Sequence, residues 1–193
     1  MLEAIRVTTL LINDEITNKP EVNALLCFHG SRLDARTNDY GEIILYQDQD
    51  ESLWNYDLIT RGTYFLNEAS YGDKLSKYHV EAAIAYWHTI RADTPEKWIN
   101  ILQLFDYLMK IEYSPVAAIN RLYALSKVNG KSTAIIEAEK FDLRDNHFYY
   151  TLLGELYLGT DNQKAAEHYQ KALSIAKTRT DKNIILKMIE KLG

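Results

Sequence analysis

From Val80 to Leu192 the apolar residues recur three and four positions apart, segment after segment, with short turn signals between the segments. An α-helix turns once in about 3.6 residues, so this spacing gathers apolar side chains into a stripe that must be covered by another stripe. Trp98, Ile101, Leu102, Phe105, Leu108 and Met109 form the clearest one. The same pattern returns at Val80, Ala83, Ile84, Trp87 and Ile90, at Ala118, Ile119, Leu122 and Leu125, and at Tyr149, Leu153 and Leu156. It closes with Ala165, Tyr169, Ala172 and Ala176, then Ile184, Ile185, Met188, Ile189 and Leu192. Thr94-Pro95 and Ser114-Pro115 place a hydroxyl cap before a proline in the first helical position, where a missing N–H costs nothing. Asn129-Gly130 is a stop signal, and Thr160 with Gln163 has the spacing of a capping box.

Two further helical segments precede these, over Leu2 to Ile12 and Glu21 to Ala35, and the one candidate for an extended arm is Gly41 to Tyr46. The pattern predicts about nine or ten helices on short connections, which favours antiparallel neighbours stacked in chain order. The expected fold is all-α, a stack of antiparallel helical hairpins. No low-complexity linker or charge block divides the chain, so residues 1–193 read as one domain.

Within Tyr150 to Leu173, the residues Tyr150, Leu153, Gly154 and Tyr157, followed by Ala165, Tyr169 and Ala172, resemble a tetratricopeptide repeat. Small residues at Gly154 and Ala165 let two helices approach, and Tyr157 and Tyr169 fill the gaps beside them. The turn between the helices is one residue shorter than usual, and Lys177 stands where a proline is common. Residues 116–140 keep the helix-turn-helix spacing without the small residues. The resemblance implies a right-handed array of such pairs.

Composition narrows the functional classes. With 47% hydrophobic and 25% charged residues the chain is an ordinary globular sequence, and a net charge of -5 speaks against a phosphate-binding surface. Direct nucleic-acid binding is therefore not expected, and protein is the expected partner. Cys27 is the single cysteine, set in an apolar run, so it is expected to be a small buried hydrophobe. No basic leader followed by an apolar run and no transmembrane stretch is legible, so membrane contact is not expected and a reducing cytoplasm is.

Candidate chemistry reduces to a few charged clusters. Asp48, Asp50 and Glu51 suggest a calcium loop, but Leu53 sits where the sharp turn needs glycine and Ile59 where the bidentate glutamate belongs. Asp48 or Asp50 instead reads as the cap of a helix that begins near Ser52 and carries Trp54. Arg32 and Arg36 are four residues apart and so share a helix face, where like charges repel unless carboxylates lie opposite. The expectation is an internal network of Arg32 and Arg36 with Asp48 and Asp50 that pins the segment from Ile43 to Tyr46; the alternative is a docking patch, since a guanidinium fork suits both.

The histidines lack metal-ligand spacing; His79 and His88 fall on opposite helix faces. Asn120 and Arg121 read as a hydrogen-bonding pair on a helix surface, and the 14 tyrosines as core and groove fillers that could also line a peptide-binding face. There is no phosphate-cradling glycine loop and no nucleophile elbow. No catalytic residue, metal or cofactor is expected.

Three segments carry a further resemblance: His29 to Arg36 (HGSRLDAR), Tyr46 to Trp54 (YQDQDESLW) and Ser114 to Arg121 (SPVAAINR). In order and spacing they are similar to the C-terminal extension of a group of extracytoplasmic-function (ECF) RNA polymerase sigma factors, and the likeness runs from about Leu2 to the end. The first motif departs from the family's pattern at His29-Gly30, where acidic and basic residues are usual. The resemblance implies family-specific N-terminal helices and an arm over residues 1–75, then tetratricopeptide-like pairs over 76–193. It also implies a regulatory, non-catalytic role through contacts with the sigma regions or RNA polymerase, and makes Asn120 and Arg121 candidate contacts. The two sigma regions themselves are absent from this sequence. The alternatives are a general tetratricopeptide-like interaction scaffold and, behind it, a metal-dependent helical enzyme.

Overall fold

The computed structural model describes residues 18–38, 44, 46–71 and 75–192. The expected helix over Leu2 to Ile12 and most of the expected arm lie outside the described residues. The chain is all-α: among the described residues no strand is present, and Thr37 alone makes an isolated bridge. The helices are α1 (Pro20–Gly30), α2 (Tyr56–Ala69), α3 (Lys77–Trp87), α4 (Pro95–Ile111), α5 (Pro115–Asn129), α6 (Lys131–Ala138), α7 (His147–Tyr157), α8 (Asn162–Ile175) and α9 (Arg179–Glu190). They fall into two compact units, residues 1–93 with 110–112, and residues 94–109 with 113–193.

In the first unit α1 packs against both α2 and α3. Ala24, Phe28, Ala82 and Ala85 form the core, with Leu25, Ile59, Phe65, Leu66 and Tyr86 against them. Alanines on facing helices keep the backbones close, and Gly62 extends that approach, since a Cβ there would lie 2.7 Å from Phe28 Cε1. Asn55 caps α2 by accepting from the Leu58 N–H at 3.0 Å.

The segment expected to run as a helix to Ala35 stops at Gly30. The reason lies in Ser31. Its hydroxyl donates to the Phe28 carbonyl at 2.8 Å, and its own carbonyl accepts from the Asn55 N–H at 2.8 Å, so this oxygen is already engaged where the next helical turn would need it. Beyond it the chain makes three short 3₁₀ turns, Asp34–Arg36, Tyr46–Asp48 and Glu51–Leu53.

In the second unit, helices adjacent in sequence from α5 to α9 pack on one another. Thr94 accepts from the Lys97 N–H at 3.3 Å and Ser114 from the Ala117 N–H at 3.1 Å, as their positions before prolines predict. Gly130 ends α5 with φ at 86°, a left-handed value natural to glycine. One core gathers Leu122, Ala134, Ala138, Leu152 and Leu156; a second gathers Ala165, Tyr169, Ala172, Ala176 and Ile185.

The α7–α8 hairpin is closed by Gly159, with φ at 84°, and by the Thr160 hydroxyl, which donates to the Tyr157 carbonyl at 2.9 Å. Thr160 is thus occupied by the helix before it, and the cap of α8 is Asp161, which accepts from the Lys164 N–H at 3.0 Å. The expected capping box at Thr160 and Gln163 is not formed; the cap lies one residue later and has no reciprocal partner, because Lys164 cannot accept. Lys131 reaches across to the end of α7, donating to the carbonyls of Glu155 at 2.9 Å and Leu158 at 2.8 Å, where a cation offsets the negative helix terminus.

Candidate functional site

Arg32 sits in the turn after α1, only 7% exposed, with its guanidinium carbon 5.2 Å from the Tyr46 ring centre and 5.9 Å from that of Trp54. Trp54 is itself 6% exposed. Tyr46 meets His88 edge-on, with ring centres 5.2 Å apart. Backbone bonds hold these pieces together: Ile44 N–H donates to the Arg36 carbonyl at 2.8 Å, and Asn55 N–H to that of Ser31. The HGSRLDAR and YQDQDESLW motifs, separated in sequence, therefore meet around one buried arginine.

The expected carboxylate network is not formed. Among the described residues neither Arg32 nor Arg36 makes an ion pair, whereas Asp48 and Asp50 are exposed. Asp50 is spent on the turn that follows it, accepting from the Ser52 N–H at 2.9 Å, and hydrogen bonding by the Ser52 side chain first and its backbone second holds the carboxyl below its ordinary pKa. Capping by Asp50 is as expected, although the element is a 3₁₀ turn that ends at Trp54 rather than a helix carrying it. Nor do the arginines share one helix face, because Arg36 lies in a separate 3₁₀ turn. Arg36 Nη2 lies 3.2 Å from His29 Nδ1, so the imidazole acts as acceptor there. Ile44 is tied to Arg36 by its backbone N–H, and Tyr46 to Arg32 by its ring.

Burial comes first and the charge of Arg36 second in pushing the Arg32 guanidinium down to about 10, with Tyr46 opposing them; the group stays protonated at neutral pH. Burial also lowers Arg36. Arg32 Nε, Trp54 Nε1 and Gln49 Oε1 are buried without a hydrogen-bond partner among the described residues. Tyr46, Gln49 and His29 are not among the candidate site residues that the sequence offers, although the aromatic residues flanking the Gln-Asp-Gln-Asp run are an available signal.

In the second unit Arg121 of α5 pairs with Asp106 of α4 and lies 3.6 Å from Glu137 of α6. It is a clamp across three helices, half-buried, while its neighbour Asn120 is exposed. Their sequence adjacency hid this division, because Asp106 and Glu137 are remote in the chain. Among the described residues no three His, Cys, Asp or Glu side chains are placed to hold a metal ion. No helix of the described residues is long and apolar enough to cross a membrane.

The chain is similar to an uncharacterized protein of Rhizobium meliloti (strain 1021), 35% identical over 154 residues, which are 77% of this chain and 36% of that protein. It thus spans about a third of the length of the curated relative it matches. No solved structure matches. Residues 1–70, which contain Arg32, Arg36, Tyr46 and Trp54, match a family of unknown function (DUF6596).

Proposed function

We propose that this chain is a non-catalytic, protein-binding regulatory module of an ECF-type sigma factor, acting through contacts with the sigma regions or RNA polymerase. The observation that carries the reading is the meeting of two of the three resemblance motifs around Arg32, Tyr46 and Trp54. Residues that resemble a family only as a string could be coincidence; residues that also build one interlocked corner act as a unit. The larger part of the Rhizobium meliloti protein lies outside the aligned stretch, which leaves room there for further regions. Helix pairs with exposed aromatic side chains, such as Tyr64, Tyr107 and Phe148, offer the kind of surface that protein partners use.

The test is isothermal titration of this chain with the two sigma regions of an ECF factor produced as a separate polypeptide, at physiological salt. Saturable binding in the micromolar range or tighter supports the module. Absence of heat and of co-elution at tens of micromolar rejects it.

A further inference from the structure

We propose that the Arg32 corner is a binding site for a small monocarboxylate, received by the N–H groups of Arg32 and Trp54. Arg32 is a cation 7% exposed, and among the described residues no carboxylate pairs with it. The rings of Tyr46 and Trp54 lie within 5.2 and 5.9 Å of its guanidinium carbon. Ring contacts offset only a fraction of what a buried charge loses in leaving water, whereas an anion hydrogen-bonded to the fork offsets much more. Arg36 adds a second positive charge close by, and its Nη2 is turned to the His29 nitrogen rather than to an acid.

The choice of anion follows from the unpartnered atoms. Arg32 Nε and Trp54 Nε1 are two buried N–H donors without partners, one for each oxygen of a carboxylate. Two N–H groups serve both oxygens of a singly charged carboxylate, whereas the second charge and further oxygens of a phosphate dianion would be buried without donors. This site stands independently of the sigma-factor reading, and its test uses no protein partner.

The experiment is a nitrogen-15 NMR titration of the whole chain with sodium acetate, with sodium chloride at matched ionic strength and inorganic phosphate as comparisons. The indole signal of Trp54 is assigned with Trp54→Phe and the Nε–H signal of Arg32 with Arg32→Lys, which keeps the charge and removes the fork. Saturable shifts of both signals with acetate, at least tenfold weaker with phosphate, and loss of the Trp54 shift in Arg32→Lys, are expected. A parallel melt should show acetate raising the midpoint of the unaltered chain above its value in chloride. Superimposable acetate and chloride titrations with equal midpoints would overturn the proposal, as would tighter binding of phosphate or a Trp54 shift that persists in a folded Arg32→Lys chain.

Discussion

The ring of Tyr169 fills the space beside the Gly154 backbone, and any Cβ at position 154 would overlap it. Tyr169 is 1% exposed, and its hydroxyl donates to Glu155 at 3.2 Å, so the ring is held on the face of α7 and at its tip. The closest approach of α7 and α8 therefore depends on one missing side chain.

Gly154→Ala tests that dependence, because two effects oppose each other. Alanine favours a helix interior over glycine by about 1 kcal/mol, while forcing a methyl group into a packed contact costs about 1–3 kcal/mol. Overlap with a buried ring should win, giving a net loss of up to about 2 kcal/mol in urea denaturation. Tyr169→Leu should reverse part of that loss when combined with Gly154→Ala. A single Gly154→Ala chain more stable than the unaltered one would show that the ring moves freely.

At the Arg32 corner the same approach separates a carboxylate network from an aromatic box. Asp48→Asn should leave the melting midpoint unchanged, since Asp48 is exposed and makes no pair with either arginine. Arg32→Met keeps the length of the stem under the Tyr46 and Trp54 rings and removes an uncompensated charge. Replacing buried ionic groups with well-packed apolar ones is often neutral or stabilising by about 1–4 kcal/mol, so its midpoint in chloride should hold or rise. A large loss in Asp48→Asn would restore the ion-pair network.

His29 gives the corner a pH dependence whose sign is fixed. Crowding around the ring pushes its pKa down to about 4, and the charges of Arg36 and then Arg32 push the same way. The ring still meets solvent, which screens part of the effect. Because the unfolded chain takes up the proton first, this contribution to stability is present above about pH 6.5 and is lost as pH falls toward about 4. His29→Asn should flatten the fall in melting midpoint between pH 7 and 5 relative to the unaltered chain. Identical slopes would place the imidazole outside the reach of the two arginines.

Much of the helical fold was legible because local chemistry writes it. Thr94, Ser114 and Gly130 mark boundaries by what their own atoms can bond or by the φ they allow, and the Ala165, Tyr169 and Ala172 stripe is the buried face of α8. The site was less legible. Charge spacing put Arg32 and Arg36 on one helix, but the helix ends at Ser31 because a carbonyl there is claimed by Asn55, a partner 24 residues away. Asp50 looked available to an arginine, yet the nearest N–H, that of Ser52, is the shorter reach. Helix stripes are set within a few residues of themselves, while a buried cation is settled by whichever distant segment folds over it.

Arg121 shows the same contrast in the second unit and yields the sharpest separation of structure from docking. Its guanidinium joins Asp106 on α4 and Glu137 on α6, and Glu137 is also bridged by Lys140, whose bond, followed by its charge and that of Arg121, holds the carboxyl below its ordinary pKa. Hydrogen bonds to charged groups are worth about 1.5–3 kcal/mol, and both carboxylates keep some contact with water, so Arg121→Ala should cost about 1–2 kcal/mol in urea denaturation. Asn120→Ala, at an exposed position, should stay within about 0.5 kcal/mol. Arg121→Lys should recover only part of the loss, because an ammonium cannot span both carboxylates with a planar fork. Double-mutant cycles with Asp106→Ala and with Glu137→Ala isolate the two pairs, and couplings near zero in both would mean that neither carboxylate holds Arg121 and that it is free to dock. If instead Arg121→Ala weakens binding to the sigma regions only in proportion to its loss of stability, while Asn120→Ala weakens binding without any loss, then the exposed amide is the contact and the arginine is the clamp beneath it.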